Sequence, residues 1–226
     1  MPMTRHRTLV LALLGALFAA AFASAFAGAQ EPRDPETDAD LRVLIAAAGD
    51  AARHPGAGSV IVLDRTTVKV EKSGLSHIDK QFVAKVLTER GALSYDRLRF
   101  DYDRQSNMVE IRSVRVLRAG GAVEPVSLAA TVDLPQPQHG IYWGPRMKLV
   151  PLPRLQPGDA VEYRIYTKGF MIAYLGQEQP VATDDDERYI PPMRGHYYDV
   201  VAFGASAPIL RKHYTVETLR DVPLQY

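Results

Sequence analysis

Gln156-Pro157-Gly158-Asp159-Ala160-Val161-Glu162-Tyr163-Arg164-Ile165 is the stretch on which the fold turns. Its first four residues place Pro second and Gly third in a turn, the order that a type II turn demands because its third residue needs a positive φ. The residues that follow alternate apolar and charged with a period of two. That period predicts a half-buried strand, Val161, Tyr163 and Ile165 facing inward and Glu162 and Arg164 facing outward. A turn leading directly into such a strand is the unit of an antiparallel sheet.

The same period recurs upstream. Val60, Val62, Val68 and Val70 share one face of a strand that begins at Ser59, while Arg65, Thr67, Lys69 and Glu71 occupy the other. Ser73-Gly74 turns the chain, a β-compatible run follows from Phe82 to Leu87, and Tyr95 to Tyr102 alternates again. Val109 and Ile111 have one parity and Val114 and Val116 the other, so a β-bulge is expected near Arg112-Ser113. Gly120-Gly121 then closes a hairpin. Six prolines between Asp133 and Pro157 keep that segment at the surface, with one short strand from Arg146 to Leu152. Further strands are expected near Tyr197–Phe203 and Arg211–Leu219, separated from the rest by an acidic, proline-bearing loop, Gln177 to Pro192. Eight or nine short strands with turns between them predict an all-β fold, an antiparallel β-sandwich over residues 59–226.

The chain before Ser59 reads differently. Arg5, His6 and Arg7 precede an uncharged run from Leu9 to Phe22, and Ala27-Gly28-Ala29 before Gln30 has the small-residue form of a signal-peptidase site. Ala23-Ser24-Ala25 is a second candidate. The apolar run is shorter than the ~20 residues of a bilayer span, so a cleaved signal peptide over residues 1–29 is expected rather than a membrane anchor. Residues 30–40 read as a polar linker. Leu41, Leu44, Ile45 and Ala48 recur at helical spacing, which predicts one short helix over 41–54, with Asp38 as a cap and Gly49 or His54-Pro55-Gly56 as its end.

Composition narrows the chemistry. The chain has 226 residues and 46% hydrophobic content, enough for a core without staples. There is no Cys, which excludes disulfides, thiolate metal sites and a Cys nucleophile. Without Arg5 and Arg7 the mature chain carries 25 basic against 26 acidic side chains. Near-neutrality offers no argument for nucleic acid as a partner. Arginines from Arg97 to Arg118 are interleaved with acids and read as a solvated strand face. Gly56-Ala57-Gly58 lacks the third Gly of a dinucleotide loop and precedes a strand instead of following one. Asp184-Asp185-Asp186-Glu187 lacks the spacers and Gly of a calcium loop.

No catalytic residue, cofactor or metal ligand is therefore expected. Tyr142, Trp143, Tyr197 and Tyr198 could form an aromatic platform for sugar rings or peptides, or could fill the core as aromatics on pleated sheets do. A metal site would need His139, His196 and Asp184 brought together from distant segments, since no two mature histidines sit at helical spacing.

Four segments carry a family likeness. Val86-Leu87-Thr88-Glu89-Arg90-Gly91-Ala92, the run Val109 to Val116 with its Gly120-Gly121 hairpin, Leu152 to Tyr163, and Phe203 to Tyr214 together resemble a bacterial domain of unknown function. That domain precedes transglutaminase-like cores in exported proteins. The resemblance spans about Ser59 to Tyr226 and implies a non-catalytic β-sandwich, periplasmic or secreted, that supports a cysteine protease or transferase core in cis. Such a core, with its Cys, His and Asp, would lie beyond Tyr226, and Val222 to Tyr226 ends without a turn, so the chain reads as a fragment or a stand-alone form. The alternative is a stand-alone module binding cell-wall glycan or peptide.

Overall fold

The structure is a computed structural model, and it describes residues 37–137, 144–170, 189 and 195–219. Residues 1–29, expected to be a signal peptide, and Tyr142, Trp143, His139 and Asp184 lie outside the described residues.

Among the described residues nine strands form two sheets. In chain order they are β1 (Ser59–Val70), β2 (Ser76–Val86), β3 (Arg97–Tyr102), β4 (Asn107–Leu117), β5 (Val123–Pro125), β6 (Val132–Pro135), β7 (Arg146–Pro151), β8 (Ala160–Gly169) and β9 (Lys212–Thr218). The larger sheet has the order β5-β4-β8-β2-β1-β9, the smaller β3-β7-β6. The expected all-β sandwich is thus present. All named pairs are antiparallel but one: β9 runs parallel to β1, with Val68 opposite Val216.

Alternation along β8 shows how the layers stack. Val161, Tyr163 and Ile165 join a core with Leu98 and Phe100 of β3, Val114 and Val116 of β4, and Val150 of β7. That core fills the space between the two sheets. Ala160, one residue earlier and so on the opposite face, joins a second core with Val60, Val62 and Leu63 of β1, Val83 of β2 and Leu117 of β4. Leu41, Leu44 and Ile45 of the helix α1 (Asp38–Ala47) close that second core from outside.

Helix α1 starts and stops earlier than the spacing predicted. Asp38 and Asp40 sit favourably in its first turn, where the helix dipole welcomes negative charge. At the other end the Asp50 carboxylate accepts the Ala52 backbone N–H at 3.0 Å, a local turn that competes with helix. Arg53 Nη1 donates to Ala47 O (3.0 Å) and His54 Nε2 to Ala48 O (2.8 Å), which satisfies carbonyls the helix leaves open.

The anticipated turns and bulge are in place. Gly158 has φ +96°, Asp159 N–H donates to Gln156 O at 3.0 Å, and β4 shifts register against β8 between Ile111 and Ser113. The Gly120-Gly121 hairpin joins β4 to β5. A second bulge, between Ile61 and Leu63 of β1, interrupts the alternation assumed for the four valines. Val60 and Val62 lie under α1, whereas Val68 and Val70 are buried outside that cluster. The strand expected near Tyr197–Phe203 is not formed: residues 196–205 run without ladder hydrogen bonds. Side chains fasten that segment instead, as described below.

Two expectations about charge also change. Glu162 was expected to be solvated and is 0% exposed; the sheet face it occupies points away from the sandwich core but is roofed by neighbouring arginines. Arg164, beside it, is only half-exposed.

Candidate functional site

The stretch after the Gln156 turn places two buried carboxylates three residues apart. Asp159 is 4% exposed and accepts from the Gln156 and Ala119 backbone N–H groups, each at 3.0 Å, and from Arg118 Nη1 at 2.8 Å. One carboxylate thereby closes its own turn and ties it to the β4–β5 hairpin. Glu162 accepts Gln81 Nε2 (2.8 Å) and Arg164 Nε (3.0 Å) on one oxygen, and the Arg115 guanidinium on the other, with Nε at 2.7 Å. Strands β4, β8 and β2 are thus cross-linked through a single charge. Multiple donors on one buried carboxylate are what make such a charge tolerable.

Further along the same face the ladder places His77 of β2 beside Tyr166 of β8. His77 Nδ1 is 2.6 Å from the Tyr166 hydroxyl, and His77 Nε2 is 2.6 Å from Glu71 Oε1. The His77 hydrogen bond is the main reason the Glu71 carboxyl lies below its ordinary range. Arg112 stacks over the Tyr166 ring at 4.7 Å and pairs with Asp79 at 2.5 Å. Partial burial, followed by the negative charge of Asp79, pushes the Tyr166 phenol up.

The opposite face carries a third group where β2, β1 and β9 meet. Asp64 takes Lys212 on one oxygen at 2.8 Å and Lys80 on the other at 2.9 Å, with its own side chain 8% exposed. Burial alone would raise this carboxyl, yet the hydrogen bonds and charges of Lys212 and Lys80 outweigh it and hold it below 3.8. Phe82 stacks on Tyr163 beside it, centroids 4.9 Å apart, and Phe100 meets Tyr163 edge-on. Desolvation in that aromatic nest drives the Tyr163 phenol strongly upward. Because the folded Asp64 pKa is depressed, its stabilisation is complete above the unfolded value and disappears as pH falls through the folded one. Urea titrations of the full chain should therefore show stability falling below pH 3.8, with a shallower acid loss in Asp64→Asn. Equal acid slopes in the two proteins would exclude this role for Asp64.

Beyond β9, Tyr197 and Asp199 reach back to Tyr214. The Tyr214 O–H donates to Asp199 Oδ2, the Tyr197 hydroxyl lies 2.7 Å from that of Tyr214, and 3.2 Å from Asp199 Oδ2. Burial first, then the hydrogen bond to Asp199, pushes the Tyr214 phenol up to about 12. Burial and the bond to Tyr214 raise Tyr197 as well. Gly195 N–H donates to Ser73 O at 2.7 Å, so the segment is held at two points.

The aromatic quartet is accordingly divided. Tyr197 is half-buried and bonded through its hydroxyl, Tyr198 is 54% exposed, and Tyr142 and Trp143 fall outside the described residues. His196 is exposed, its two supposed co-ligands are also outside, and among the described residues no group of three His, Cys, Asp or Glu could hold a metal. Of the arginines expected on a solvated strand face, Arg97 and Arg99 are exposed and pair with Asp96 and Asp101, whereas Arg115 and Arg118 are half-buried because they serve the buried carboxylates Glu162 and Asp159. No helix among the described residues is long and apolar enough to cross a membrane. Asp64, Glu71, His77, Asp159, Glu162 and Tyr214 escaped the sequence reading. Each has its partner on another strand or loop, and only the register of Gln81 with Arg164, or of Asp64 with Lys212, would have revealed it.

No curated protein matches the chain. Among solved structures, a provisionally assigned protease from Parabacteroides distasonis is similar over 52% of this chain and 24% of its own, with 14% identity and a TM-score of 0.45. A family 3a carbohydrate-binding module from the cipA scaffolding of Clostridium thermocellum is similar over 49% of this chain and 75% of its own, with 15% identity and a TM-score of 0.31. An M1 zinc metallopeptidase from Deinococcus radiodurans, in its E323A form, is similar over 53% of this chain and 23% of its own, with 17% identity and a TM-score of 0.28. The chain thus spans about a quarter of the length of the two peptidases. The profile of DUF3857, a domain of unknown function with a solved structure, matches residues 72–226. That span starts after β1 and includes the turn, both buried carboxylates and all strands from β2 to β9, so the chain belongs to the DUF3857 family.

Proposed function

We propose that this protein is an exported, non-catalytic sandwich domain that supports or positions a transglutaminase-like cysteine core. The observation that carries this reading is the disposition of Glu162. Among the described residues the most deeply buried carboxylate is spent on tying Arg115, Arg164 and Gln81 together. Asp159 is spent in the same way on a turn and a hairpin. Such cross-linking stiffens a platform, and a rigid scaffold is what positions a site carried elsewhere. Export rests on the segment that ends at Ala29, with a mature start at Gln30 or Phe26.

The purified full chain should turn over neither peptide nor amine-transfer substrates, and should raise the activity or thermal midpoint of a transglutaminase-like enzyme encoded with it. Turnover by the chain alone that survives repurification would overturn the reading. So would the absence of any effect on such an enzyme.

A second reading, a module for glycans or peptides, is favoured by one observation. Tyr198 and Phe203 stand on the same segment with 54% and 69% of their surfaces exposed. Exposed aromatics offer apolar faces with polar edges to sugar rings. Titrating the intrinsic fluorescence of the full chain with cell-wall glycans and peptides separates the two, since the scaffold reading expects no response.

A further inference from the structure

We propose that the outer edge of β9 pairs with the same edge of a second copy of this chain, joining two molecules in an antiparallel dimer. The order of the larger sheet leaves β9 at its margin. β9 runs parallel to β1 with Asp64 opposite Lys212, and the Asp64 N–H donates to Arg211 O at 2.9 Å. In such a ladder alternate residues turn both backbone groups to the same neighbour. The backbones of His213, Thr215 and Glu217 therefore bond to β1, and those of Tyr214 and Val216 point outward. Among the described residues no strand takes them up. The opposite margin of the sheet is blunted, since β5 has three residues and ends in Pro125. β9 has seven, with neither Pro nor Gly to interrupt pairing.

The sequence of β9 is complementary to itself. Two copies related by a twofold axis at Thr215 place Thr215 opposite Thr215, Tyr214 opposite Val216 and His213 opposite Glu217. A Thr–Thr contact, an aromatic on a β-branched residue and an imidazole facing a carboxylate are kinds of cross-strand pair that stabilise antiparallel sheets. Tyr214 and Val216 are also the residues with outward backbone groups, so each pairing of the two exchanges both hydrogen bonds. Centring the axis on Tyr214 or on Val216 instead separates the imidazole from the carboxylate. The Tyr214 hydroxyl keeps its bond to Asp199, because the pairing uses backbone groups and the ring. Exposure agrees: His213 and Thr215 are exposed, and Leu210 and Leu219, just outside the two ends of β9, keep 44% and 72% of their surface in water. Antiparallel pairing lays the Leu219 end of one copy against the Leu210 end of the other, which withdraws apolar surface at both ends. Glu217 reaches Lys69 at 4.0 Å, a solvent-screened pair that offers the second copy little competition.

The test is sedimentation of the full chain from micromolar to millimolar concentration. The expected result is a monomer–dimer equilibrium without larger species, because a closed twofold interface uses up the edge. Thr215→Lys sets two ammonium groups against each other across the axis at an exposed position. It should raise the dissociation constant about tenfold, with the thermal midpoint of the dilute monomer unchanged. His213→Glu should weaken the dimer, and adding Glu217→Lys should restore it, because opposite charges again face each other. Val216→Pro removes an outward N–H while leaving the ladder to β1, and should abolish the dimer. A chain that is monomeric at every concentration overturns the proposal, as does one that grows into open-ended assemblies. A dimer indifferent to Thr215→Lys and to the charge swap overturns it equally, whatever Val216→Pro does.

Discussion

Glu162→Leu should lower the stability of the folded chain by about 3 kcal/mol, toward the lower end of what losing one partner of a buried ion pair costs. The side chain is 0% exposed and accepts from Gln81, Arg164 and Arg115. Removing it leaves two guanidiniums facing leucine. Arg115 and Arg164 keep 22% and 31% of their side-chain surface in water, which moderates the loss and argues for the lower end of the range. Urea unfolding should show a reduced midpoint at unchanged slope, the signature of lost stability without a changed unfolded state. The double variant Arg115→Met/Glu162→Leu should recover part of the loss, because an apolar pair of similar volume removes one of the two uncompensated charges and leaves only Arg164. The contrast is the exposed Asp96–Arg97 pair, whose partners are 57% and 59% exposed; Asp96→Ala should leave the midpoint where it was. If Glu162→Leu behaves like Asp96→Ala, the central pair is not the clamp described above.

The second large effect is expected at Gly91. A Cβ there would stand 1.8 Å from Gly58 O and 2.4 Å from Gly58 C, both backbone atoms. Neither can yield without displacing the start of β1, because Gly58 O also accepts the Leu87 N–H at 2.9 Å and the Thr88 N–H at 3.3 Å. Thr88 in turn caps the short helix α2 (Glu89–Leu93), its hydroxyl accepting Gly91 N–H at 3.0 Å. Gly91→Ala should therefore cost about 3 kcal/mol or more, the upper range for overpacking. For a domain of this size that is a fall of roughly 6–12 °C in thermal midpoint. Gly58→Ala should be milder, since its Cβ would meet Gly91 Cα at 3.0 Å and no carbonyl. A reversed order, or a silent Gly91→Ala, would show that the two backbones are not in the contact on which the end of β2 rests.

Gly58 shows how far a sequence carries. As part of Gly56-Ala57-Gly58 it could be dismissed as a dinucleotide loop from spacing alone. Its actual partner, Gly91, lies 33 positions away and is identified only once β1 and α2 are brought together. The β4 bulge was legible because a parity slip is a local event, written in Val109, Ile111, Val114 and Val116. The β1 bulge was not, because Val60 to Leu63 is apolar at every position and offers no parity to read. Tyr197–Phe203 has the composition of a strand and is not one. The Tyr197–Asp199–Tyr214 bonds hold the segment by its side chains, and propensity does not anticipate that competition.

The turn at Gln156 to Asp159, the alternation of β8, the hairpin glycines and the lack of any thiol follow from the residues themselves. Each depends on a backbone preference or a chemical group that travels with its own amino acid. These were enough for the all-β class, its approximate strand number and the exclusion of cysteine chemistry. The tertiary structure alone decided that β9 returns parallel to β1, that Glu162 is dry although it points away from the sandwich core, and that two phenols and a carboxylate share one point in space. Those three facts depend on register between strands far apart in the chain. A charge is solvated or buried according to what lies across the ladder from it, and no local pattern records its neighbour.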